Sequence, residues 1–187
     1  MRKILMILLI LVMLVGTLQA SKKHKKHKIY YSHILISKYM KQLERYDRNQ
    51  LEFLRLAYRM GKKYDLSYSL MAIVMQESNA GKYMISITGD YGLCGINLKY
   101  YMIDHKIHNS YYKRMEIATK LIRNDLLNIR TAIKELRYWI KRYGHNYIKV
   151  WGSYNGGNIP NYRYAFHILN RIVAIKRYIK KHPNFLK

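Results

Sequence analysis

The chain has 187 residues, 50% of them hydrophobic, and its 35 Lys and Arg against 10 Asp and Glu give a formal charge of +25. This excludes wholesale disorder and leaves room for one domain with a sizeable core plus an appendage. The charge favours polyanionic partners: nucleic acid, anionic lipid or an acidic wall polymer. The 20 Tyr against 3 Phe suit stacking on a base or on a sugar face alike.

Arg2 and Lys3 precede an uninterrupted apolar run from Ile4 to Val15, and GTLQA follows it. This order predicts a signal peptide over 1–20, cleaved after Ala20, because the run is too short to span a bilayer comfortably. Leu18 stands where a small residue is preferred, and the lysines from Lys22 to Lys28 load charge on the far flank. An uncleaved membrane tether therefore stays open. Export to the periplasm or beyond argues against nucleic acid as a partner, as does the lack of any recognisable reading module. Residues 21–50 read as a basic tail, SKKHKKHK at its start, and a leading helix. The tail suits an anionic wall polymer or a membrane surface.

The domain is expected over 51–187. Leu51, Leu54 and Tyr58 form a stripe that stops near Gly61. Ser67 then fits an N-cap, with Leu66 and Met71 as its hydrophobic staple. In the helix that follows, Leu70, Ile73, Val74 and Glu77 share one face by their i, i+3, i+4, i+7 spacing. A carboxylate on a core-directed face is costly unless it is paired or protonated, and desolvation raises its pKa toward what a general acid needs. Glu77 is thus the first candidate for catalysis. The plainer reading is a frayed helix end that turns the acid outward.

Residues 79–111 are rich in glycine, with no sustained helical period, and read as loops with a short hairpin. Asp104, His105 and His108 have no third His or Cys ligand nearby, so no metal is expected. Cys94, the single cysteine, cannot form an intramolecular disulfide and sits in an apolar GLCGI setting that suits a packed thiol. Helix returns near Tyr112, and Leu126, Ile129, Ile133, Leu136, Ile140 and Tyr143 form a core stripe closed by Gly144. SYNGGNIPNY reads as a loop before a last helix around 164–180. The fold class is mainly α: a compact helical domain.

Three segments in order, ES at 77–78, GDYGLCGIN at 89–97 and SYNGG at 153–157, resemble the lytic transglycosylases with a goose-lysozyme-like domain. The resemblance spans roughly Leu51 to Ile179. It implies a lysozyme-like fold and Glu77 as sole acid/base on the bond between N-acetylmuramic acid and N-acetylglucosamine. The muramyl 6-hydroxyl would close a 1,6-anhydro ring, and the substrate's acetamido group would carry the developing charge. No second carboxylate or cofactor is then needed, and no acid besides Glu77 lies between Leu66 and Thr88. The resemblance further implies substrate contacts from Ser78, Gly92, Leu93, Tyr154 and Asn155, and a positioning tyrosine at Tyr164 in preference to Tyr162.

The family's Gln falls at Gly95 and its Met at Cys94, and Asn97 is the candidate to compensate the lost amide. Asp90 is a candidate second acid, able to activate water and release a reducing sugar, or else an Asx-type turn residue. Three readings stay open: a lytic transglycosylase acting as a monomer on peptidoglycan glycan strands, a water-using muramidase of the endolysin kind, and a catalytically silent peptidoglycan-binding protein.

Overall fold

The computed structural model describes residues 32–186. The expected signal peptide at 1–20 and the basic run at 21–28 lie outside the described residues. Eight α-helices and one two-stranded hairpin follow in chain order among the described residues. They form a mainly α, lysozyme-like domain, as the sequence predicts.

Helix α1 (His33–Glu44) starts where Ser32 Oγ accepts from the Leu35 amide, and it buries Ile36, Tyr39 and Leu43. Those residues pack on the last helix, α8 (Tyr162–Lys181). Helix α2 (Arg48–Gly61) opens on a reciprocal capping box between Asp47 and Gln50. It ends at Gly61, where a Cβ would lie 2.6 Å from the Ser67 amide nitrogen. The expected domain start at residue 51 falls inside α2, and α1 belongs to the same compact unit, because its buried face completes the core against α8.

Helix α3 (Ser67–Glu77) departs from the sequence reading twice. Ser67 is its first residue and not its cap: the Ser67 hydroxyl donates to the Tyr58 carbonyl, and Leu66 occupies the cap position without a side-chain bond. Nor is α3 amphipathic, since every residue from Ser69 to Met75 is buried. It is the central helix, with α2, α8 and α6 (Asp125–Tyr143) around it. A helix that is apolar all round is buried all round.

Strands β1 (Asp90–Tyr91) and β2 (Ile96–Asn97) pair antiparallel, with Asp90 opposite Asn97 and Tyr91 opposite Ile96. The hairpin expected in 79–111 is thus present. Asn97 caps α4 (Leu98–Asp104), and Ser110 caps α5 (Tyr111–Arg123). In α6 the buried residues are Asn128, Ile129, Ala132, Ile133, Leu136 and Trp139, while Leu126, expected on the core stripe, is exposed. The extra buried face meets the hairpin and α7 (Tyr147–Gly156). Gly144 closes α6 with φ +60.

SYNGGNIPNY is not wholly a loop: Ser153 to Gly156 form the last turn of α7. Its glycines serve contact more than chain breaking. A Cβ on Gly152 would lie 3.0 Å from Pro160, and one on Gly156 2.9 Å from the Asn161 amide nitrogen. The chain therefore folds tightly back on α7 before α8 begins, with Asn161 capping α8 through the Tyr164 amide.

Candidate active site

Helix α3 stops at Glu77 because the chain then turns through left-handed conformations at Asn79, Ala80 and Gly81. Beyond that turn, Glu77 Oε1 accepts a 2.5 Å hydrogen bond from the Tyr164 hydroxyl. Tyr164 is buried in the first turn of α8, where the Asn161 cap sets its backbone. Burial pushes the Glu77 carboxyl up to about 7. The Tyr164 bond opposes that rise, the Asp90 charge adds to it, and the Arg171 charge opposes it. A carboxyl balanced near neutrality can both give and take a proton. Gly95 faces the same group: a Cβ there would lie 2.7 Å from Glu77 Oε2, and its φ is +62. Where the resemblance places a glutamine, this chain packs bare backbone against the acid.

The turn that carries Gly95 is clamped from two sides. Asn128 of α6, fully buried, accepts from the Cys94 amide at 2.8 Å and donates to the Tyr91 carbonyl at 2.7 Å. Tyr154 of α7 donates to the Cys94 carbonyl at 2.7 Å. Both polar groups of the Cys94 backbone are thus satisfied inside the core, which fixes the neighbouring Gly95 against Glu77. The Cys94 thiol is buried and its pKa is raised by that burial, so it is packed and not nucleophilic. Gly92 is required at φ +80, because a Cβ would run into the Asn128 amide and the Leu121 carbonyl.

Several expected substrate contacts hold the protein together instead. Ser78 is fully buried. Its hydroxyl faces the Val74 and Leu93 carbonyls at 3.1 and 2.9 Å and accepts from the Gly81 amide. With its one proton committed to those carbonyls and the side chain fully enclosed, the hydroxyl does not reach an acetamido group, and Ser78 ties the end of α3 to the hairpin turn. Leu93 is fully buried and Gly92 packs on α6, so neither side lines a cleft. Asn97 is partly exposed, but its amide donates to Asp90 Oδ1 and its oxygen caps α4. Asn155 is exposed at the end of α7 and accepts from Asn161.

Asp90 is engaged through both oxygens: Oδ2 accepts from Ser86 and Thr88, and Oδ1 from Asn97. These three side-chain bonds tie Asp90 into the hairpin. His105, considered as a metal ligand, stacks on Tyr101 at 4.1 Å and bonds its carbonyl. Among the described residues no group of three or more His, Cys, Asp or Glu is placed to hold a metal.

Three groups escaped the sequence reading. Asn128 carries the clamp. Arg171 of α8 is buried, with its guanidinium 3.9 Å from the Tyr39 ring centroid. Glu135, half-buried on α6, has its carboxyl pushed up to about 7 by desolvation. The spacing Asn128, Ala132, Glu135, Trp139 places Glu135 on a buried helix face and was a usable signal.

A mainly α domain that ends its central helix in a tyrosine-bonded glutamate beside a short hairpin has the architecture of the lysozyme-like class. The transglycosylase SLT domain model matches residues 55–165, more than half of the chain, and the chain belongs to that family of peptidoglycan lytic transglycosylases. The match takes in Glu77, the hairpin, α6, α7 and Tyr164. No curated protein and no solved structure matches the chain.

Proposed function

We propose that the chain is an exported lytic transglycosylase. It would cut the β-1,4 bond between N-acetylmuramic acid and N-acetylglucosamine and close a 1,6-anhydro ring, with Glu77 as the one acid and base. The observation that carries this is the Glu77–Tyr164 pair beside the bare backbone of Gly95. Glu77 enters protonated, gives its proton to the glycosidic oxygen, and as a carboxylate takes one from the muramyl 6-hydroxyl. The Tyr164 hydroxyl stabilises the carboxylate between the two steps. An internal hydroxyl at the reacting carbon replaces water by proximity.

A water-using muramidase would need Asp90 free to polarise a water, whereas its oxygens already accept three side-chain bonds. A silent wall-binding protein would not need a desolvated Glu77 aimed by a tyrosine; an exposed one salt-bridged to Lys would serve. Export rests on the 1–20 segment, and wall adhesion on the basic 21–28 run.

The deciding test is mass spectrometry of muropeptides released from purified peptidoglycan, beside the Glu77→Gln variant. Anhydromuramyl products that vanish in the variant support the reading. Reducing ends would move the chemistry to water, and no release from either protein would leave only binding.

A further inference from the structure

Helix α1 and α8 beyond Ala165 lie outside the family match. Between them is a cavity of about 1170 Å³ whose cationic lining is Lys38, Lys41, Arg45, Lys82 and Arg171. No Asp or Glu lines it. Residues 1–31 contain no acidic side chain either, so that segment cannot neutralise it. Gln76 and Asn79 also line the cavity; they bracket Glu77 and Ser78 in the chain, so the cavity adjoins the catalytic end of α3.

Arg171 is the informative group. It is 8% exposed, and its Nε and Nη1 have no hydrogen-bond partner among the described residues. The face of Tyr39 supports the guanidinium at 3.9 Å, while the Tyr39 hydroxyl is taken up by His167 Nδ1 at 2.6 Å. Burial and then the Arg171 charge hold His167 below its ordinary pKa, so the histidine is a neutral neighbour. A buried guanidinium with unused N–H groups is costly until an oxyanion meets it, and its planar fork matches a carboxylate.

We propose that this cavity is a subsite for a carboxylate of the peptide stem on the glycan strand. Arg171 would grip the carboxylate, and Lys38 and Lys41 on the exposed face of α1 would draw it in. This rests on the proposed activity. A muramyl unit delivered to Glu77 carries its stem on the same sugar, so its carboxylates arrive beside the acid. A wall phosphate polymer has no such reason to reach the end of α3. Arg171 is then a specificity-determining residue that favours peptide-bearing over stripped strands.

The test compares soluble peptidoglycan strands that keep their peptide stems with the same strands after an amidase has removed them. Binding is read by calorimetry on the full chain carrying Glu77→Gln. Peptide-bearing strands should bind about tenfold tighter or more. That preference should vanish on adding Arg171→Gln, with affinity for stripped strands unchanged. Should Arg171→Gln fail to fold, the exposed double variant Lys38→Ala, Lys41→Ala should shrink the preference and its salt dependence. Equal affinity for both strands, a preference that survives both changes, or displacement by teichoic acid more readily than by free stem tetrapeptide would overturn the subsite. A preference lost with Arg171 in a protein that releases no sugar product would sink the activity and keep the subsite. Normal anhydro release without any preference would do the reverse.

Discussion

Glu77 at the end of α3 and Glu135 in the middle of α6 are two carboxyls raised to about 7, each chiefly by desolvation. They differ in what surrounds them. Glu77 receives a 2.5 Å bond from Tyr164 and has the side-chain-free Gly95 against its second oxygen. Glu135 has the Trp139 indole one turn on, which lowers its pKa without reaching hydrogen-bond geometry, and the Asp104 and Glu77 charges add to the rise. Desolvation alone makes a carboxyl hold its proton. In the proposed reaction aim separates the two, because a proton donor needs a fixed direction and the Tyr164 bond gives Glu77 one.

The sharpest break of that comparison is Glu77→Gln against Glu135→Gln. The first should lower anhydromuropeptide release by about a thousandfold or more, since in the proposed reaction one residue serves both proton transfers. The second should leave turnover within the range expected of a packing change. Similar losses in both, measured by product release at neutral pH, would put Glu135 into the chemistry.

In stability the two should behave alike. Each carboxyl goes from 4.5 to about 7 on folding, so between those values the folded chain holds a proton that the unfolded chain has released. Stability therefore falls as pH rises through that window and is flat above it. The span corresponds to about 3 kcal/mol per group. Replacing either by Gln removes its share of the fall, which denaturant titrations at pH 4.5 and pH 8 would read as a flatter profile. A flat profile in the parent chain would show that neither carboxyl is held protonated.

Gly95→Gln supplies the side chain that the family resemblance expects. It should lower kcat/KM and not restore it, by about tenfold or more: the residue must hold φ +62 and its Cβ must press on Glu77. A gain in rate would mean that the hairpin turn moves readily and that the bare site is a loss rather than a fit.

How much of this was legible in the sequence follows from what decides each feature. Glu77 could be read because it ends an apolar helix and no other acid lies nearby in the chain. The hairpin, α6 and α8 followed from glycine placement and helical period. Ser78 and Leu93 were matched to a cleft, but a residue beside a site and a residue in it look the same in a local motif. Only the packing of the hairpin turn over the end of α3 puts them inside. The α7 turn was hidden because glycines that permit close contact read as breakers. Arg171 and Glu135 are long polar residues on helices, normally solvated. Their burial arises only when α1 covers α8 and α6 meets the hairpin, contacts that no local pattern records.

The finest discrimination between the two carboxyls comes from Tyr164→Phe, which removes the bond and keeps the ring. The hydroxyl favours the charged form of Glu77, so its loss should raise the Glu77 pKa further above 7. Because the first step of the proposed reaction requires protonated Glu77, the alkaline limb of kcat/KM should move to higher pH. The maximal rate should fall by about tenfold, as a proton no longer held in line is transferred less often in the right direction. Glu135 has no such bond, so no aromatic-to-Phe change near α6 should move that limb. An unshifted limb with a tenfold loss would reduce Tyr164 to a packing residue. A shifted limb at full rate would show that burial sets the pKa and that the hydroxyl does not aim the proton.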